Sequence, residues 1–160
     1  MKRFYKFLVL GMLILFCGNV SAQIAYFKSF RETKGLVTPK SNGMYVWGPW
    51  EQSHTYVLLD IANKNILVSD MIKKESKEFE IFDKPDKWTR KKNHRVINFE
   101  CMEKITMNKF YIRLYEYDSG EFRVTVMDPK NATRYSVVYV NEEEIPEKVS
   151  FSSTETTAKN

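Results

Sequence analysis

From Met44 onward apolar and polar residues alternate with period two, and turn residues interrupt the alternation. That is the pattern of strands with one buried face. Val57, Leu59 and Ile61 fall on one side of a first segment and Ile66 and Val68 on one side of the next, with Ala62-Asn63-Lys64-Asn65 between them. Pairing Ile61 with Ile66 and Leu59 with Val68 brings the apolar sides together; a slip of one residue would turn one set to solvent. Around Asp118-Ser119-Gly120 the same test pairs Leu114 with Val124 and Ile112 with Val126, and Gly120 supplies the left-handed conformation of a three-residue loop. Around Pro129-Lys130-Asn131-Ala132 it pairs Val124 with Val137 and Phe122 with Tyr139, with Pro129 presetting φ for the turn.

Further strands are predicted over residues 78–82, 95–101 and 110–117, for a total of about seven or eight, and no segment reads as a three-turn amphipathic helix. The predicted fold is therefore all-β: an antiparallel up-and-down meander closing into a small barrel, with a two-layer β-sandwich as the alternative. Residues 23–43 lack clear periodicity and read as an N-terminal arm, residues 44–140 as the β domain. Residues 141–160 are acidic and then Ser/Thr-rich, and read as a polar, mostly mobile tail.

The first 22 residues change the picture of charge. Lys2, Arg3 and Lys6 precede an apolar run over residues 7–16, and Val20-Ser21-Ala22 puts small residues ahead of a cut before Gln23. This is a secretory signal peptide by pattern, too short to span a bilayer, and no transmembrane segment is expected after its removal. The protein is expected to be exported, to the periplasm or the cell exterior. Anchoring through a lipid on Cys17 is disfavoured by the bulky Phe16 before it. The whole chain carries +5, but without the leader 22 basic side chains face 20 acidic ones. A nearly neutral mature chain gives no reason to expect nucleic acid as a partner.

Candidate chemistry is sparse. There is no nucleophile elbow, phosphate loop or Cys-x-x-C, and the histidines, His54 and His94, are forty residues apart. No catalytic residue, metal or cofactor is expected. A hydrolase built on an unidentified carboxylate pair is the alternative from another class. Cys101, alternating with Ile97 and Phe99, reads as a buried thiol. Three groups suggest binding. Tyr45, Trp47 and Trp50 suit a plug or platform for a small hydrophobic or aromatic ligand. Tyr111, Arg113, Tyr115 and, across the ladder, Arg123 form a stripe of the residue types that dominate protein-binding hot spots. Arg90, Lys91, Lys92 and Arg95, beside Trp88, could hold an anion.

Val20-Ser21-Ala22-Gln23, Trp47, Trp50, Tyr56-Val57-Leu58-Leu59-Asp60, Asn65-Ile66-Leu67-Val68 and Asn98-Phe99-Glu100-Cys101, together with the strand from Phe110 to Leu114, resemble a diffuse group of small exported β-proteins of Bacteroidetes-type bacteria. Gly48-Pro49-Trp50 is also similar to the Gly-x-Trp opening of lipocalin-like barrels. The resemblance implies a barrel and a non-catalytic binding role for a protein partner or a small ligand, and supplies no site residues.

Overall fold

The computed structural model describes residues 24–82 and 87–152. The leader at 1–22, Cys17 and the last residues of the expected tail lie outside the described residues. Strands β1 (Ala25–Val37), β2 (Tyr45–Trp47), β3 (Glu51–Gln52), β4 (Thr55–Asp60), β5 (Asn65–Asp70), β6 (Glu75–Ile81), β7 (Thr89–Arg90), β8 (His94–Glu103), β9 (Lys109–Tyr117), β10 (Phe122–Met127) and β11 (Asn131–Val140) form one antiparallel sheet. β11 pairs back onto β1, so the sheet closes into an eight-stranded barrel. Its staves are β1, β4, β5, β6, β8, β9, β10 and β11. Closure removes the edges that a long meander would otherwise expose.

The strand that closes the barrel is β1. Residues 25–37, read above as part of an arm, form a 13-residue stave paired along most of its length with β11. Its other edge pairs in turn with β4, β3 and β2, which together make one interrupted stave. Gly48-Pro49 interrupts it, because proline has no N–H to give the ladder. Gly48 still donates its N–H to the Lys34 carbonyl at 2.8 Å, and Thr33 Oγ1 donates to the Gly48 carbonyl at 2.7 Å. A bulge between Ser29 and Arg31 inverts the facing of β1. Ala25, Phe27 and Ser29 lie on the buried side before it, whereas after it Glu32 is buried opposite Tyr135 and Arg31 faces outward opposite Ser136. This bulge is why β1 shows no clean periodicity in sequence.

The predicted faces hold in all three hairpins, but two registers are off by two residues. Leu114 and Ile112 pair with Val124 and Val126 as read. At the first hairpin Leu59 pairs with Ile66 and Val57 with Val68. The loop there is still four residues but starts one residue earlier, at 61–64. Asp60 accepts the Asn63 N–H at 3.0 Å, and Lys64 takes the left-handed conformation at φ 55°. At the third hairpin Phe122 pairs with Val137 and Val124 with Tyr135. There the turn starts one residue earlier, because the Asp128 carboxylate accepts the N–H groups of Lys130 and Asn131, both at 2.7 Å, closing a tight turn around Pro129-Lys130.

The interior is apolar and packed at one end and polar at the other. Phe27, Leu59, Ile66, Ile81, Ile97, Leu114 and Phe122 fill the closed end, with Trp88 against them. Phe79 and Phe99 sit at the centre, nearly or wholly without exposure, and Phe79 meets Phe110 edge-on with centroids 5.2 Å apart. An eight-stranded barrel is about wide enough for side chains to fill it or to admit one small ligand.

The stretch expected to be a mobile tail is in its described part a strap on the outside of the barrel. A 3-10 turn at Glu142–Glu144 leads to Ile145, Val149 and Phe151, which cover Tyr56, Leu58 and Leu67. Apolar side chains in that otherwise acidic stretch thus bury the outward face of β4 and β5. The strap is pinned at Ser152, whose N–H donates to Glu78 at 3.1 Å and whose hydroxyl donates to the same carboxylate.

Candidate functional site

Two of the three predicted groups meet on one outer face. Phe110, Ile112 and Leu114 point into the barrel, so Tyr111, Arg113, Tyr115 and Tyr117 point out along β9. Cross-strand pairing sets Arg113 beside Thr125, which is beside Arg134, and Tyr115 beside Arg123, Ser136 and then Arg31. The interrupted stave folds Trp47 and Trp50 over the same face. The Arg134 guanidinium lies 4.0 Å from the Trp47 ring centroid and 5.9 Å from that of Tyr115. Trp50 lies beneath Arg31 at 4.8 Å and Arg123 at 5.6 Å, and Arg123 also covers Tyr117 at 4.7 Å. Tyr115 stacks with Tyr117, and His94 leans on both rings. Trp47 can lie flat here because Gly35 opposite it has no side chain; an added Cβ would come within 3.0 Å of the indole.

The electrostatics of this face are one-sided. Among the described residues the ion pairs of its arginines, those of Arg31 and Arg123, go to one carboxylate, Glu121. It accepts from Arg123 Nε at 3.0 Å, Arg31 at 3.5 Å and the Ser136 hydroxyl at 3.1 Å. The Arg123 hydrogen bond holds the Glu121 carboxyl below its ordinary pKa despite burial. Among the described residues Arg113 and Arg134 form no ion pair, and Arg31 Nε is buried with no hydrogen-bond partner. Burial lowers the pKa of Arg134, which donates to Thr125 Oγ1 at 3.3 Å. A guanidinium stays charged at any such shift. Tyr45, read with Trp47 and Trp50 as a plug or platform for a small ligand, lies with them on the outside of the barrel, and its hydroxyl donates to the Asp128 carbonyl. Tyr111 is exposed at the end of the stripe, 5.3 Å from the Lys109 ammonium.

The third group is differently placed. Arg90 and Arg95 lie at the closed end and are already matched: Arg90 makes a two-pronged bond to Asp118 at 2.8 Å, and Arg95 pairs with Glu116 while stacking 4.6 Å over Trp88. Of this group Lys91 and Lys92 are exposed with no ion pair among the described residues.

The sequence reading missed the barrel's open end, a cavity of about 360 Å³. Val68, Phe79, Phe110 and Val126 line its floor; Asp70, Lys73, Lys77 and Tyr135 stand around it. Glu32 and Asp70 both bind Lys73, at 3.2 and 2.5 Å, and Ser53 donates to Glu32. Burial pushes the Asp70 carboxyl up, but its bonds from Lys73 and the Ile72 N–H outweigh that and hold it low. A general acid needs the opposite shift. Cys101 is fully buried and burial pushes its thiol to about 12, which suits packing rather than nucleophilic attack. Among the described residues no group of three His, Cys, Asp or Glu could hold a metal ion, and no helix is long and apolar enough to cross a membrane.

No protein-family model, curated protein or solved structure matches the chain.

Proposed function

We propose that this is an exported, non-catalytic binding protein that docks an acidic segment of a protein partner on the outer face formed by Trp47, Trp50, Arg113, Tyr115, Arg123 and Arg134. The observation that carries this reading is Arg134, half-buried between Trp47 and Tyr115 with no ion pair to a carboxylate among the described residues. Desolvating a charge without a counter-charge is costly, so the chain has reason to relinquish that arrangement unless a partner supplies the anion. The arginines are held flat by aromatic rings, which lowers the ordering cost of presenting them. Trp, Tyr and Arg are also the side chains on which protein interfaces concentrate their binding energy.

The test is fluorescence anisotropy of a labelled poly-glutamate peptide titrated with the full chain. Binding that weakens as salt rises is expected, with a loss of about tenfold or more in each of Arg113→Ala and Trp50→Ala, as for a hot-spot truncation of ~1.4 kcal/mol. Both side chains are exposed, so the fold should survive either change. Absence of binding, or an affinity in both variants equal to that of the parent chain, would refute the reading. A second reading, a small apolar ligand in the open end, rests on the cavity floored by Phe79 and Phe110. Its size falls at the lower limit of about 300–1,000 Å³ usual for ligand pockets.

A further inference from the structure

Three of the four hairpins at the open end of the barrel combine lysine with a large apolar side chain more than 60% exposed, which no described connection at the closed end does. The β1–β2 loop carries Lys40 and Met44, and the β5–β6 tip carries Ile72, Lys73 and Lys74. The β8–β9 tip carries Lys104, Ile105 and Met107, and the β10–β11 tip carries Pro129 and Lys130. Ile105 is 82% exposed, Met44 69%, Met107 64% and Ile72 62%. Among the described residues the closed end presents Ala62-Asn63-Lys64 and Ser119-Gly120 at its tight hairpins, and its exposed large apolar side chain is Phe82, at 41%. Turn chemistry does not require isoleucine or methionine at a tip, so their placement at one end calls for another cause.

Charge is sorted by depth at the same end. Each of three tips is pinned from its stem by a carboxylate. Asp70 accepts the Ile72 and Lys73 N–H groups, Asp128 accepts those of Lys130 and Asn131, and Glu103 accepts the Thr106 hydroxyl at 2.6 Å. The acids are thus drawn back toward the mouth, and the outermost layer is left apolar and cationic. Lys40, Lys74 and Lys130 form no ion pair among the described residues.

We infer that the open end of the barrel docks on an anionic lipid surface, with Ile72, Ile105 and Met107 entering the headgroup layer and the lysines contacting phosphates. Met44, Ile72 and Ile105 belong to three separate hairpins around the mouth, each of which also carries lysine. A bilayer interface accepts each such tip singly. Lysine stems can lie along the acyl boundary while their ammonium groups stay among headgroups. Positive charge near such a surface adds attraction that falls off within a Debye length.

The experiment uses the full chain with Cys17→Ser and Ile105→Cys, labelled at residue 105 with an environment-sensitive fluorophore; the buried Cys101 is not competitive. Vesicles of phosphatidylcholine with phosphatidylglycerol should shift its emission to the blue, vesicles of phosphatidylcholine alone should not, and salt should reverse the shift. In the Cys17→Ser background, the triple variant Ile72→Ser, Ile105→Ser, Met107→Ser should lose about tenfold or more in co-sedimentation with the anionic vesicles, for apolar area withdrawn from the interface. Its melting temperature should be unchanged, because all three side chains are exposed. Arg113→Ala should bind these vesicles as the parent chain does, which separates this inference from the side-face reading. Vesicle binding without a blue shift, an equal shift on neutral vesicles, or a triple variant that binds undiminished would overturn it.

Discussion

Replacing Glu78 by glutamine tests whether the strap over the outer face is held as described. The Glu78 carboxylate is 7% exposed and accepts from the Lys104 ammonium, the Ser152 hydroxyl and the Ser152 N–H. Glutamine keeps the shape but removes the charge, so the charge-assisted part of three bonds is lost and Lys104 loses its counter-ion. A hydrogen bond to a charged group contributes about 1.5–3 kcal/mol. Lys104 is a third exposed and can turn to water, which keeps the total near the lower end, about 2 kcal/mol at neutral pH. In a chain of this size that is a fall of about 4–8 °C in melting temperature. The pH dependence has a definite sign. Burial raises the Glu78 carboxyl, but the bonds from Lys104 and Ser152 outweigh it and leave the pKa below its ordinary 4.5. A depressed folded-state pKa contributes stability above the unfolded value and loses it as pH falls through the folded one. Urea unfolding of both proteins at pH 7 and again below 4.5 should therefore show a gap that closes in acid, where protonated Glu78 resembles glutamine. A gap that is absent at neutral pH, or persists unchanged in acid, would show that this carboxylate does not anchor the strap.

Cys101 should resist iodoacetamide in the native protein at pH 8 and react on unfolding, as mass spectrometry of the alkylated chain would show; the thiol is buried and titrates only near 12. Phe79→Ala should cost about 3–5 kcal/mol in urea unfolding, because the ring is fully buried and packs edge-on against Phe110. A loss under about 1 kcal/mol would mean that the barrel centre is loosely filled.

The parts of the fold that were legible from the chain are those encoded in short windows. Alternation along 57–61, 66–68, 112–114 and 122–126 assigned inward and outward faces correctly. It could not see the two-residue offsets at Leu59–Ile66 and Val124–Tyr135, because an even shift leaves every side chain on the same face. It could not read β1 either, since the bulge at Ser29/Arg31 changes the parity partway along. Of the candidate site, Tyr115 opposite Arg123 was legible because one hairpin makes that contact. Arg31 and Arg134 were not, because they reach Trp50 and Trp47 only after β11 closes on β1 and the broken stave folds back along it.

Sequence alone therefore determined that the chain makes antiparallel strands with one oily face and turns at known places, since those depend on neighbours a few residues apart. Tertiary structure decided which strand closes the ring, which outer faces become one surface, and that exposed isoleucine and methionine gather at one rim. Those are matters of which distant segments end up side by side. Closure sets that by burying the inward faces together, while the outward faces take whatever neighbours the closed ring assigns them.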